Sequence, residues 1–174
     1  MPELRQFRRK TEIRRFQEGS PLGDTELVVW LQDWSDPFNV GGMFRVADAA
    51  GVTQLILSGK TPQPPDEGIA KTSMGSHRRV PWRHVLRNDE AAAMLREAGY
   101  TLVAVEVAAG AVPFGEFQYP AKTCLVLGNE GVGVYANVMK LCDAAVFIPM
   151  AGKGRSLNVH VAAAIVCFEA KLRA

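Results

Sequence analysis

An α/β fold, with helices packed on both faces of a parallel sheet, is what this chain predicts, and three features of the sequence carry the prediction. Short apolar runs rich in β-branched residues recur over residues 27–31, 54–57, 101–107, 123–127 and 145–148, which is how strands buried on both sides read. Helical spacing fills the intervals near residues 39–50, 89–98, 134–141 and 157–172. Turns rich in Gly or Pro separate the two kinds of segment. Such alternation argues for parallel pairing, because each parallel connection needs a crossover, usually a helix.

The order along the chain begins with an arm, residues 1–24, ahead of a body, residues 25–174. Within residues 1–20, Arg5, Arg8, Arg9, Lys10, Arg14 and Arg15 face only Glu3, Glu12 and Glu18, while the remainder holds 14 basic and 15 acidic groups. A positive arm on a near-neutral body suits a polyanion, and it equally suits a solvated helix with no partner. At 174 residues, 48% hydrophobic and 22% charged, the chain is long enough to bury a real core and requires no second domain. The Arg-rich start lacks the apolar stretch of a signal peptide, and no apolar run approaches the ~20 residues that span a bilayer, so a cytoplasmic protein is expected. Cys124, Cys142 and Cys167 are too scattered for a disulfide framework or a zinc site and predict buried free thiols, and no metal site is expected anywhere.

In the first helical stretch Asn39 can serve as the N-cap, Val40, Met43, Phe44, Ala47 and Ala50 form the apolar stripe, and Gly51 is the stop. At ~100° per residue, Arg45 falls off that stripe. It is left to face a ligand or a partner, or to pair with Asp48 or Asp36. Residues 59–68, with three prolines and a glycine at each end, predict a surface loop.

A later strand, Cys124 to Leu127, runs into Gly128-Asn129-Glu130-Gly131-Val132-Gly133 and then a helical stretch, an arrangement that aims bare backbone amides into a gap. It lacks the Lys-Ser/Thr of a P-loop and the spacing of G-x-G-x-x-G, which weighs against a nucleoside triphosphate or NAD. Glu130 is the one charge in this turn, and capping of the following helix would also account for it. The last strand ends in Ile148-Pro149-Met150, a loop through Lys153 and Arg155 follows, and Ser156-Leu157-Asn158 opens the final helix. That helix predicts a buried stripe of Leu157, Val161, Ala164, Ile165, Phe168 and Leu172.

Taken together and in order, Asp36-Pro37-x-Asn39-Val40-Gly41-x-x-x-Arg45, the Gly128 turn and the pair Ile148-Pro149-Met150 with Ser156-Leu157-Asn158 resemble the three motifs of the SpoU/TrmH family of RNA ribose 2′-O-methyltransferases, in the SPOUT superfamily. The likeness runs from about Val28 to Leu172. It implies a C-terminal trefoil knot and transfer of the methyl of S-adenosylmethionine, with S-adenosylhomocysteine as product, to a ribose 2′-hydroxyl of tRNA or rRNA. It implies a homodimer in which the Arg45 of one chain reaches the cofactor pocket of the other. Arg45, Asn39, Glu130, Ser156 and Asn158 are the catalytic candidates; Val105, Leu127, Gly128, Ile148, Met150 and Leu157 are the cofactor candidates. For RNA the candidates are Arg5, Arg8, Arg9, Arg14, Arg15, Lys153 and Arg155. A guanidinium is a poor base, its pKa lying above about 12, so Arg45 as base and Arg45 as phosphate and alkoxide partner both stand. His160 departs from the family pattern, which commonly has a second Ser there. A cofactor-binding RNA-binding protein without turnover is the rival reading.

Overall fold

Side-chain alternation along the central strands sets the layers of the protein. The computed structural model describes residues 4, 6–154 and 156–172. In chain order the elements are α1 (Lys10–Glu18), β1 (Glu26–Gln32), α2 (Pro37–Ala50), β2 (Gln54–Ser58), α3 (Glu67–Ser73), a 3-10 turn (Ser76–Arg78), β3 (Trp82–Val85), α4 (Asn88–Glu97), β4 (Thr101–Val105), β5 (Val112–Pro113), β6 (Lys122–Leu127), α5 (Ala136–Met139), β7 (Ala144–Phe147) and α6 (Val159–Leu172).

The seven strands form one sheet in the order β3-β2-β1-β6-β4-β7-β5, every pair parallel. β1 pairs with β6 in the register Val28 to Cys124, Val29 to Leu125 and Trp30 to Val126. Leu27, Val29, Leu31, Leu125 and Leu127 face one side, under α2, α3 and α6. Val28, Trp30, Cys124 and Val126 face the other, under α4 and α5. With period 2 and a cover on each face, both sets are buried, which is why these strands are apolar throughout. From β1 the chain builds outward to β3 and then crosses to β4 on the other side, so the order reverses next to β1 and β6. At such a reversal, a crevice opens beyond the carboxyl ends of the strands.

Several elements differ from the sequence pattern. α2 starts at Pro37, and Asp36 is its N-cap through a 2.8 Å bond from the Phe38 amide, so Asn39 lies inside the helix and does not cap it. Proline at the first helical position gives up an amide that has no partner there anyway, which moves the start forward. Gly51 ends the helix in the left-handed conformation, φ 66°, as expected. The loop predicted over 59–68 gives way at Glu67 to α3, because the Asp66 side chain takes the Gly68 and Ile69 amides. β4 stops at Val105, the helix near 134–141 shrinks to α5, and β3 and the two-residue β5 have too few apolar positions to stand out.

The clearest reversal is on α6. Its core side is Ala163, Val166, Cys167 and Ala170, whereas Val161, Phe168 and Leu172 are exposed at 41%, 36% and 64%. Small residues let the helix lie close on the sheet, and the bulky stripe points outward. At the N-terminal end α1 is exposed on every side, with the Phe7 and Phe16 rings tilted at 45° to each other, centroids 5.0 Å apart, and Arg14 paired with Glu18 at 2.8 Å.

Candidate functional site

The carboxyl ends of β4, β6 and β7 surround a cavity of about 620 Å³. Residues 105–107 follow β4 into its wall, residues 127–134 follow β6, and Phe147, Ile148 and Met150 follow β7. Ser156, Leu157 and Asn158, ahead of α6, close the remaining side. All six cofactor candidates line this cavity, as do Asn39, Glu130, Ser156 and Asn158.

Backbone packing makes the cradle. Gly128 lies so close to Gly133 and Val134 that a Cβ would sit 2.1 Å from backbone atoms of both. No side chain fits there. Asn129 shapes the turn: its Oδ1 accepts the Gly131 and Val132 amides at 2.9 and 3.3 Å, and its Nδ2 donates to the Asp33 carbonyl at 2.6 Å. The buried indole of Trp34 donates to the Leu127 carbonyl at 3.1 Å, fixing the strand end from below. Glu106 is a wall residue that the motifs do not single out; its Oε2 accepts the Val134 amide at 3.0 Å and occupies the space left bare at Gly133. A lone carboxylate directly after a buried apolar strand was the available signal.

Glu130 does not cap the helix that follows it. It reaches back to the entry of α2, where Oε2 accepts from the Ser35 amide and hydroxyl at 2.9 and 3.1 Å. Oε1 accepts from the Asp36 amide at 3.1 Å and from Asn39 Nδ2 at 3.2 Å. Burial pushes the Glu130 carboxyl up, and the hydrogen bonds from the Ser35, Glu130 and Asp36 amides and Asn39 outweigh it, leaving the group below its usual range. Asn39 continues the chain, its Oδ1 lying 3.0 Å from Asn158 Nδ2 and 3.2 Å from His160 Nδ1. One connected set of bonds thus joins the starts of α2 and α6 to the turn after β6.

Arg45 is placed apart from this cavity. It is exposed on the outer face of α2, on the wall of a second cavity of about 660 Å³ shared with Phe38, Lys71, Met74, His160 and Phe168. Asp48 bonds instead with Arg79 and Ser76, and Asp36 caps its own helix, so neither holds Arg45. Arg8, Arg9, Arg14, Arg15 and Lys153 are exposed. Arg5 and Arg155 lie outside the described residues. Among the described residues no group of side chains with metal-ligand character gathers, and no helix is long and apolar enough to cross a membrane.

An all-parallel sheet with glycine-built turns around a crevice at its strand ends puts this protein in the doubly wound α/β class. Its sequence is 36% identical over 167 residues to a tRNA (guanosine(18)-2′-O)-methyltransferase of Thermus thermophilus, covering 95% of this chain and 85% of that one. The enzyme of the same name from Escherichia coli K12 is 32% identical, with 92% and 69% covered. An AdoMet-bound rRNA methyltransferase from Sinorhizobium meliloti superimposes with a TM-score of 0.80 at 32% identity, over 84% of this chain and 56% of that one. This chain therefore spans just over half the length of that neighbour. The pattern of the SpoU rRNA Methylase family matches residues 26–168, and the chain belongs to that family.

Proposed function

We propose that the protein transfers a methyl group from S-adenosylmethionine to a ribose 2′-hydroxyl of tRNA or rRNA. The relatives named above support the reaction and the substrate class. The observation that carries it to this chain is the fit of the cavity. Its volume is that of a pocket for a nucleoside-sized molecule. Met150 and Leu157 stand 41% and 37% exposed on its wall, apolar surface that an adenine ring would cover. Glu106 offers an acceptor for hydroxyls, which a ribose supplies.

Bound there, the cofactor supplies an electrophilic methyl on a positively charged sulfur. The residues of the chain do the rest. Leu127, Ile148, Met150 and Leu157 hold the base and exclude water, and Gly128 lets the turn come close. Asn39, Glu130, Ser156 and Asn158 hold the hydroxyl and the methyl in line, which is where most of the rate advantage of such a transfer arises. Arg45 takes an RNA phosphate and donates to the 2′-oxygen as negative charge develops on it; the hydroxyl proton passes to solvent water as the oxygen–methyl bond forms and the sulfur–methyl bond breaks, leaving S-adenosylhomocysteine.

Arg45 of one chain serves the cavity of another in this proposal. Its separation from its own cavity and the bulky outward stripe of α6 support a symmetric dimer built on α2 and α6. The body, residues 25–174, has its C-terminal segment threaded as a trefoil knot, while the arm, residues 1–24, joins Lys153 and Arg155 on RNA. The protein works in the cytoplasm.

Calorimetry with S-adenosylmethionine and S-adenosylhomocysteine, followed by single-turnover labelling of bulk tRNA and rRNA with a methyl-labelled donor, tests the reading. Heat with both ligands and label at a 2′-O-methyl nucleotide are the expected results. Heat without label would favour the binding protein without turnover.

A further inference from the structure

Every proton along the chain of groups through Asn39 follows from its two ends. At one end the ionised Glu130 carboxylate only accepts, so the Asn39 atom 3.2 Å from Oε1 is the amide nitrogen. At the other, the backbone N–H of His160 donates to Asn158 Oδ1 at 3.1 Å, which makes Asn158 Nδ2 the atom facing Asn39 at 3.0 Å. Both arguments turn Asn39 Oδ1 toward α6. The imidazole Nδ1, 3.2 Å from that oxygen, must then carry the hydrogen, and in a neutral ring Nε2 is left as the acceptor. The ring packs tightly on Gly42: a Cβ there would stand 3.0–3.2 Å from Cδ2, Cγ and Nδ1, and the ring would have to shift by a few tenths of an ångström to admit it.

We propose that His160 is a positioning residue for methyl transfer, holding the Asn39 amide toward Glu130 through its Nδ1–H and locking the first turn of α6 against α2. The proposal rests on the function proposed above. Among the described residues Asn39 alone lines both the cofactor cavity and the cavity of Arg45, so the orientation of its amide is shared by the two. The imidazole supplies the second hydrogen bond to that amide oxygen and, by packing on Gly42, fixes the helix that carries Arg45.

Burial lowers the pKa of His160 from the ordinary imidazole value, with the charge of Asp36 pulling the other way. Arg45 and Lys71 also stand on the walls of the cavity that the ring lines. The ring is therefore neutral at physiological pH. Protonation at Nε2 leaves the Nδ1 bond intact, so a positioning role makes no acid limb in turnover, whereas proton abstraction through Nε2 would.

The test compares the wild type with His160→Ala, His160→Asn, Gly42→Ala and the Gly42→Ala/His160→Ala pair. Nitrogen-15 spectra of the imidazoles, with His160→Asn identifying the signal, should show the Nδ1–H tautomer. His160→Ala should keep cofactor Kd and RNA KM within about threefold while kcat drops roughly tenfold, the scale of one hydrogen bond in a transition state. Asn places an amide donor near the position of Nδ1, so His160→Asn should recover most of kcat with a pH profile superimposed on the wild type. Gly42→Ala should reproduce the loss and raise no further loss in the His160→Ala background, in kcat and in thermal midpoint alike. An Nε2–H tautomer, wild-type kcat in His160→Ala, no recovery in His160→Asn, a wild-type acid limb missing from His160→Asn, or additive Gly42 and His160 effects would each overturn the proposal. A wild type that binds no S-adenosylmethionine breaks the functional reading, and the tautomer and the coupling of thermal midpoints still judge the geometry.

Discussion

Asn39 and Glu130, 91 positions apart in the chain, meet at 3.2 Å, with the amide nitrogen of one donating to the carboxylate of the other. This bond ties the helix that bears Arg45 to the glycine-rich turn that walls the cavity at the carboxyl ends of β4, β6 and β7.

Glu130→Gln should lower stability at neutral pH by about 1–3 kcal/mol, because an amide nitrogen at either oxygen position faces hydrogen-bond donors. The folded carboxyl titrates below its usual value, so the stability it confers is present above the ordinary carboxyl pKa and is lost as pH falls through the lowered one. Urea unfolding from about pH 6 to about pH 3 should show a smaller loss of stability in Glu130→Gln than in the wild type.

Gly128→Ala should abolish cofactor binding. Its Cβ would press on the backbone of Gly133 and Val134 at 2.1 Å, and a backbone cannot move aside as a flexible side chain can. The turn must shift at a cost of about 1–3 kcal/mol or more. Calorimetry and thermal unfolding read the two effects, and retained affinity would mean that the turn is not the cradle.

Arg45→Ala should remove methyl transfer while leaving cofactor affinity within a few-fold, since the side chain is exposed and lies outside the cavity proposed to hold the cofactor in its own chain. Mixing Arg45→Ala with Gly128→Ala tests the exchange between chains. Each is inactive alone, and random pairing of two-fold dimers should restore about a quarter of the wild-type sites. No recovery after exchange of subunits would place Arg45 on its own chain's chemistry.

Phe168→Glu should break the dimer proposed above, because Phe168 lies on the outward stripe of α6 and takes no part in the core side of the helix. The expected result is a folded monomer in sedimentation, without methyl transfer. An unchanged oligomeric state would move the interface away from α6.

Removal of residues 5–15 should weaken RNA binding and reduce the slope of log affinity against log salt by about 0.9 for each phosphate that the arm no longer neutralises on a duplex-like target. Thermal stability of the body should hold, since α1 contributes no buried residue. An unchanged slope would point to Lys153 and its neighbours instead.

The sequence by itself determined five of the seven strands of the sheet and the three segments around the cavity. Strands buried on two faces must be apolar at every position, as in Leu27-Val28-Val29-Trp30-Leu31, and the turns that end them must carry residues such as Gly128 that admit close backbone approach. Local patterns of this kind survive in one dimension. Tertiary structure alone decided which face of α6 is buried, because both faces are apolar and only the sheet selects Ala163 and Val166 over Val161 and Phe168. It alone decided the partners of Glu130, Asn39 and His160 as well. Hydrogen bonds between residues 91 to 121 positions apart depend on where the chain returns in space, and no spacing along the sequence records that return.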